Sequence, residues 1–473
     1  MAHWLKDRGF DAYAVRGGVL ALLGRPVPQV AAVTERRAPW KAATAALKHH
    51  HFRRYSAGLL LSLTGNWVEA AAFGYVVLLL GGSAATLGLI GFLSTIPNLV
   101  LGLPAGVLAD HFDRRKLLLA FQTMSMGVAV TLAVLWATGT LSVFLMGVLA
   151  LIGGSLGALS FPAFQALISS TVPEEDLESA VALNSLGLQL ARFVGPAIAG
   201  FLLAAAGPTW VFGLNAVSFL AVLVAVASLP PARGRMAGVA LAAGRSLREA
   251  FVYVFGQRSI ASLMVLMLFA GMFATPPVAF MIPALVRFQL DAGAGTLGVF
   301  ISLVGLGSVL GSLVLLRLSG RANKGEPAIA CYFLCAASIA AIGFSTSEAL
   351  SFTLAVVGGF TGVVFIGLST VVVQATSSHE MRARAMAIWA ACFIGVLPIG
   401  ALITAGLAAW LGAGGAVAVD GLVTLVGGLA VVLLRPEVLW LGCAALPEAC
   451  VAATDPAAVA FLEEEEETLA VVS

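Results

Sequence analysis

The sequence predicts an all-α membrane protein with twelve transmembrane helices in two six-helix halves. Three observations predict it: a composition that lipid must solvate, twelve apolar runs of spanning length, and a one-sided distribution of Lys and Arg. Of the 473 residues, 60% are hydrophobic and 11% charged, whereas a soluble domain carries about 45–50% apolar and about 25% charged residues. Too few polar groups remain to cover a water-facing surface. In hydrocarbon every backbone N–H and C=O must find an internal partner, which a helix provides. The formal net charge of +2 argues against a nucleic-acid partner.

A helix needs roughly 20 apolar residues to cross a bilayer. Gly, Pro and charge clusters separate such runs near 55–80, 84–109, 116–137, 140–168, 178–206 and 209–229, then near 260–286, 292–317, 326–345, 349–375, 382–409 and 414–434. The organisation that follows is an N-terminal tail over 1–52, a first half over 53–229, a basic central loop over 230–258, a second half over 259–435 and an acidic tail over 436–473. With twelve spans both ends share one side. That side carries 24 of the 26 Lys and Arg; Arg287 lies on the other and Arg192 inside a span. Because Lys and Arg concentrate in cytoplasmic loops, both termini are expected in the cytoplasm, with the chain in the cell (inner) membrane.

The halves resemble each other at an offset near 205 residues. Gln165-Ala166 and Gln374-Ala375 each end a span before a charged loop; Ala180 then pairs with Ala385, Gly207 with Gly412, and Asn215 with Asp420. Parallel six-span repeats are a transporter plan in which the substrate site lies between the halves near mid-membrane.

The densest charge cluster joins the second and third runs: Asp110, Asp113, Arg114, Arg115 and Lys116 within seven residues. Gly106 has no side chain and suits a close approach between helices. Asp110, at a helix end, suits a helix N-terminus and a guanidinium across a gate. The pattern Gly106-x-x-x-Asp110-x-x-x-Arg114-Arg115-Lys116 resembles the signature of the major facilitator superfamily between spans 2 and 3. In span 5, Ala182, Ala191, Gly195-Pro196 and Ala199-Gly200 are similar to that family's exporter motif, with Ala at three Gly positions. Small residues there suit tight packing, and Pro196 a kink. Phe52-Arg-Arg-Tyr-Ser, Ser62-Leu-Thr-Gly-Asn-Trp67, Arg192-Phe-Val-Gly-Pro196 and Asn215-Ala-Val-Ser-Phe219 resemble the enterobactin-exporter and macrolide-efflux-like branch, over roughly residues 50–435. The resemblance implies the major facilitator fold and a secondary active, proton-coupled exporter of a small amphipathic molecule, such as a siderophore, a macrolide or another metabolite or drug. It implies no bound cofactor, the proton gradient being the driving force. The expected partners are the lipid bilayer and the cargo, with the chain acting as a monomer.

An ionisable residue within a span costs roughly 2.5–3.5 kcal/mol on insertion scales, so each is a functional candidate. Glu69, Arg192 and Asp420 are the proton-coupling candidates; Glu69 is the expected coupling carboxylate, with Arg192 as its partner or as a site for an anionic cargo group. Asn66, Trp67, Phe73, Asn184 and Gln189 are candidate cavity residues, as are Tyr75, Phe161 and Phe164. Pro97, Pro162, Pro276, Pro277 and Pro398 mark expected bends.

Cys331, Cys335, Cys392, Cys443 and Cys450 form no metal-site or disulfide pattern. No nucleophile–base set or nucleotide loop is present, so the chain reads as a non-enzyme without its own ATP drive. The first 52 residues carry no cleavable-signal pattern. Trp4 to Pro28 resembles the end of a rhodanese domain without its catalytic Cys loop, and Glu463–Glu467 is a five-carboxylate run. Two other readings use the same spans: a lysophospholipid or lipid flippase, and a non-transporting membrane sensor or scaffold.

Overall fold

The computed structural model describes residues 45–168, 171–229, 243–318, 323–378 and 381–440, a few side chains excepted. The rhodanese-like stretch and the Glu463–Glu467 run lie outside them. In the first half a short turn, Ala45–Lys48, precedes α1 (His50–Leu79), α2 (Ala84–His111), α3 (Arg114–Ala137), α4 (Val143–Ile168), α5 (Leu177–Ala205) and α6 (Pro208–Ala227). The central loop holds α7 (Ala243–Gly256). The second half comprises α8 (Arg258–Phe269, continued by wide turns to Gln289), α9 (Ala294–Leu318), α10 (Gly325–Phe344), α11 (Glu348–Thr376), α12 (Arg382–Ala390) and α13 (Leu397–Leu434).

Ten described stretches are long and apolar enough to cross a membrane. One of them, Arg384–Leu434, runs 51 residues and contains Gly412 at φ 73°, ψ 178°, so it is two spans joined at a corner. The 30-residue α1 is long enough to cross as well, but Asn66 and Glu69 dilute its apolar character. The count returns to twelve, and the fold is that of a twelve-span, all-helical membrane protein.

Helix starts follow local chemistry. Ser83 caps α2 in a reciprocal box with Thr86, and Asp113 caps α3 by accepting from the backbone N–H groups of Arg115 and Lys116, satisfying donors that a helix start leaves open. Pro208 opens α6 after Gly207, whose φ of 82° and ψ of 177° are nearly those of Gly412. The two halves thus share one backbone corner before their last span, where the left-handed φ requires Gly. Ala180 and Ala385 are both fully buried, as are Asn215 and Asp420, eight residues beyond the two corners.

The sequence did not foresee the wide turns in α8. Three segments, Ala270–Ala274, Pro277–Met281 and Leu285–Gln289, are π-type. Pro276, Pro277 and Pro283 supply no backbone N–H, so the regular ladder cannot continue through them. A fourth wide turn, Ala391–Gly395, lies just before Pro398.

The halves converge at one membrane face. Gly200 and Gly298 stack directly, a Cβ on Gly200 falling 2.7 Å from the Gly298 Cα. A Cβ on Gly74 would lie 2.8 Å from Pro283, one on Gly88 2.5 Å from Ala405, and one on Gly91 2.7 Å from the Phe280 ring. All four sit near the ends of their helices remote from Arg114, Arg317, Arg384 and Arg435. Toward that cation-rich face one side of α2 is open: a Cβ on Gly102 or on Gly106 would meet nothing within 4 Å, and Val100, Val107 and Phe112 are exposed, while Ala105 stays buried on the opposite side. The close approach expected at Gly106 is therefore absent here, although α5 and α9 stay in contact farther along, where Gln189 meets Ser312.

Candidate functional site

A cavity of about 460 Å³ lies between the halves. The first half contributes Trp67, Ala70 and Ala71 from α1 and Arg192 from α5; α8–α11, α13 and Phe393 in the wide turn after α12 supply the rest. The wall is largely apolar and aromatic, with Phe300, Tyr332, Phe365 and Phe393 among its larger side chains. The wide turns open the helices facing it: Thr275, freed beside the paired prolines, bonds back to the Ala270 carbonyl at 3.0 Å. Arg192 places its Cζ 5.4 Å from the Trp67 ring centroid, a cation–π arrangement. Gly195, one turn beyond, allows this: a Cβ there would fall 2.6 Å from the Trp67 Cβ.

Glu69 is not in this wall. Its Oε2 accepts a 2.7 Å hydrogen bond from Asn215 Nδ2, and Asn215 Oδ1 accepts from the Ser218 hydroxyl at 3.0 Å. Gly65 makes room for this ladder, since a Cβ there would strike Ser218 and Asn215. The pairing of Glu69 with Arg192 expected from the sequence is thus corrected. The helix repeat separates Trp67 from Glu69 by about 200°, so when Trp67 faces Arg192 its near neighbour faces α6. Asp420, the repeat mate of Asn215, is fully buried. Thr404 donates to its Oδ2 at 2.6 Å, and its Oδ1 has no partner. It lies between two cavity-lining residues, Val417 and Thr424.

The remaining candidates scatter. Asn184 lines a smaller groove of about 160 Å³ between α1 and α5. Gln189 bridges the halves, donating to Ser312 at 3.3 Å. Asn66 is exposed outside the large cavity, Phe73 and Tyr75 pack in the core, and Phe161 is exposed. Phe164 packs beside a core cluster of the first half, and its carbonyl accepts from Tyr55. Of the side chains expected in a cavity, Trp67 and Arg192 line the large one. The second-half lining, Tyr332 and Phe365 among it, is signalled in the sequence only by bulky or polar-tipped groups amid Ala and Gly.

In the Gly106–Lys116 segment the Asp110 side chain lies outside the described residues. Arg115 donates to the Ala227 carbonyl, at the C-terminal end of α6, where a cation meets the negative pole of the helix. Arg115 therefore ties α3 to α6 within the first half and does not reach the second. Ala191 and Ala199 are buried. With Gly195, Pro196 and Gly200 they form the small-residue surface by which α5 meets α1 and α9. On α7, Tyr253 accepts from the Ser378 backbone N–H at 3.1 Å, which holds its phenol below the usual value, and Glu249 meets Arg384 at 3.4 Å. Among the described residues no group of three potential metal ligands occurs.

Residues 41–440 match the family described as transmembrane secretion effector. The chain is 31% identical over 172 residues to the staphyloferrin A transporter of Staphylococcus aureus, spanning 43% of that relative and 36% of this chain. It is 26% identical to the enterobactin exporter EntS of Citrobacter koseri, over 79% of that relative and 70% of this chain. To the multidrug efflux pump Tap of Mycolicibacterium fortuitum it is 23% identical, over 86% of that relative and 73% of this chain. Among solved structures, a D-xylose–proton symporter superposes with TM-score 0.62 at 14% identity, covering 85% of this chain and 99% of that one. An inward-facing, unoccupied bacterial homologue of the lysosomal transporter Spinster superposes with TM-score 0.59 at 13% identity, covering 86% and 98%. With the twelve-span fold and a cavity between its halves, the chain belongs to the transmembrane secretion effector family of major facilitator transporters.

Proposed function

We propose that the protein is a proton-coupled exporter of a small amphipathic molecule, working by alternating access as a monomer in the cell membrane. The observation that carries this reading is the cavity lined by both halves, which pack glycine on glycine at one face and leave α2 without a partner at Gly102 and Gly106 toward the other. Lys and Arg concentrate at that second face, which the cation rule makes cytoplasmic; both termini then lie inside, and the cavity receives cargo from within. Relatives named as an enterobactin exporter and a multidrug efflux pump support outward movement.

Proton coupling rests on Glu69. It is an ionisable group inside a span whose hydrogen-bond partner is a neutral amide, so the cost of its charge falls on the conformation that buries it. A proton taken up there lowers that cost and favours the buried state. Efflux from proteoliposomes under an imposed proton gradient tests this. Glu69→Gln is expected to lose gradient-driven efflux while keeping cargo exchange without a gradient. Full gradient-driven efflux in that variant would refute the assignment.

A further inference from the structure

The wall of the cavity specifies what would fill it. Its hydroxyls are already committed to helix carbonyls: Ser308 donates to Val304 at 2.9 Å, Thr424 to Asp420 at 2.8 Å, Tyr332 to Thr424 at 3.0 Å and Thr275 to Ala270 at 3.0 Å. The Cys335 thiol is turned to the Gly358 carbonyl at 3.7 Å. Two polar groups in the wall remain uncommitted, the indole N–H of Trp67 and the guanidinium of Arg192. Among the described residues neither makes a hydrogen bond, and no carboxylate pairs with Arg192; its neighbour is the Trp67 ring. Both are donors only, without acceptor capacity. The rest of the wall is hydrocarbon and aromatic ring.

We propose that this cavity selects an amphipathic organic anion, its carboxylate or equivalent acidic group held by Arg192 with Trp67, its apolar body against Phe300, Phe365 and Phe393 of the second half. This inference rests on the cavity being the cargo site. A cationic ligand would meet an uncompensated guanidinium, and a neutral one would strip water from that guanidinium without replacing it, which is costly in an apolar chamber. An anion supplies the missing acceptors in charge-assisted form. A cavity of about 460 Å³ lies within the range of about 300–1,000 Å³ typical of small-molecule sites. The halves contribute unequally, with the polar anchor from the first and the apolar bed from the second, so an anchored ligand bridges them.

The test uses the full chain in lipid nanodiscs, with 1-naphthaleneacetate and its neutral isostere 1-naphthaleneacetamide as probes and binding read by equilibrium dialysis against empty nanodiscs. The wild type is expected to bind the acid at least tenfold tighter than the amide, about 1.4 kcal/mol. Arg192→Gln should erase that difference by weakening the acid alone, and Arg192→Lys should retain part of it. Equal binding of the two probes by the wild type would overturn the proposal without need of any variant, as would an acid preference that survives Arg192→Gln. Binding of neither probe would also overturn it. Proton-driven efflux measured alongside separates the two readings: efflux that persists without an acid preference leaves the exporter standing and removes the anion site.

Discussion

At the scale of single residues, the intramembrane charges divide by helical phase. Glu69, Arg192 and Asp420 were legible in the sequence because charge inside an apolar run is conspicuous. Their partners were not, because pairing depends on which way each helix face turns. Trp67 takes the cavity face of α1 beside Arg192, which leaves Glu69 to Asn215. Asn215→Leu removes the donor that holds the Glu69 carboxyl. It is expected to displace the pH profile of gradient-driven efflux without changing its steepness, which flux assays across a pH series would register. Asp420 has a different character, with Thr404 as its one side-chain donor and an oxygen left over. Thr404→Val keeps the shape but leaves both oxygens unsatisfied, a loss of about 1–2 kcal/mol. Thermal unfolding in detergent should show a lowered midpoint for Thr404→Val and little change for Thr404→Ser.

At the scale of elements, what the sequence shows best is length and punctuation. Gly207 and Gly412 ended their runs visibly, and both occupy the left-handed corner before a final span. The wide turns of α8 and of Ala391–Gly395 were signalled only as prolines, since sequence marks a lost donor but not whether the helix kinks or widens. The helix α7, hidden in a loop read as polar, shows the same limit: its apolar face, with Phe251, Val252 and Phe255 exposed, is too short to register as a span. Gly106 illustrates a further one. Its lack of a side chain serves an approach between helices, and in this conformation that space is empty. Gly106→Leu is therefore expected to leave the unfolding temperature unchanged while reducing transport by roughly tenfold or more, because closure alone would meet the added side chain. A variant that transported normally would remove Gly106 from the gate. Gly200→Val has the opposite signature. It strikes Gly298 in the packed face and should disfavour the present conformation, raising maleimide reactivity of a cysteine placed at Leu297, which is buried there, tested in a background without the native cysteines.

At the scale of the whole molecule, two six-helix bundles pack against each other where glycine lets backbones touch. The repeat explains the shared corners, while the chemistry divides: the first half carries Glu69 and the Arg192 anchor, and the second carries most of the apolar wall. Under the proposed function, that asymmetry would let one bundle read protons while the other holds the body of the cargo. On the proposed reading these bundles rock about the packed face, and protonation of Glu69 biases the motion. The most direct test is an electron-spin distance measurement across the cation-rich face in nanodiscs, between labels on cysteines replacing Phe112 in the first half and Val252 on α7, in a background without the native cysteines. Two distances are expected in the wild type, with populations that shift with pH, and in Glu69→Gln the populations should no longer respond to pH. A single distance, unchanged by pH and by Glu69→Gln, would contradict that reading.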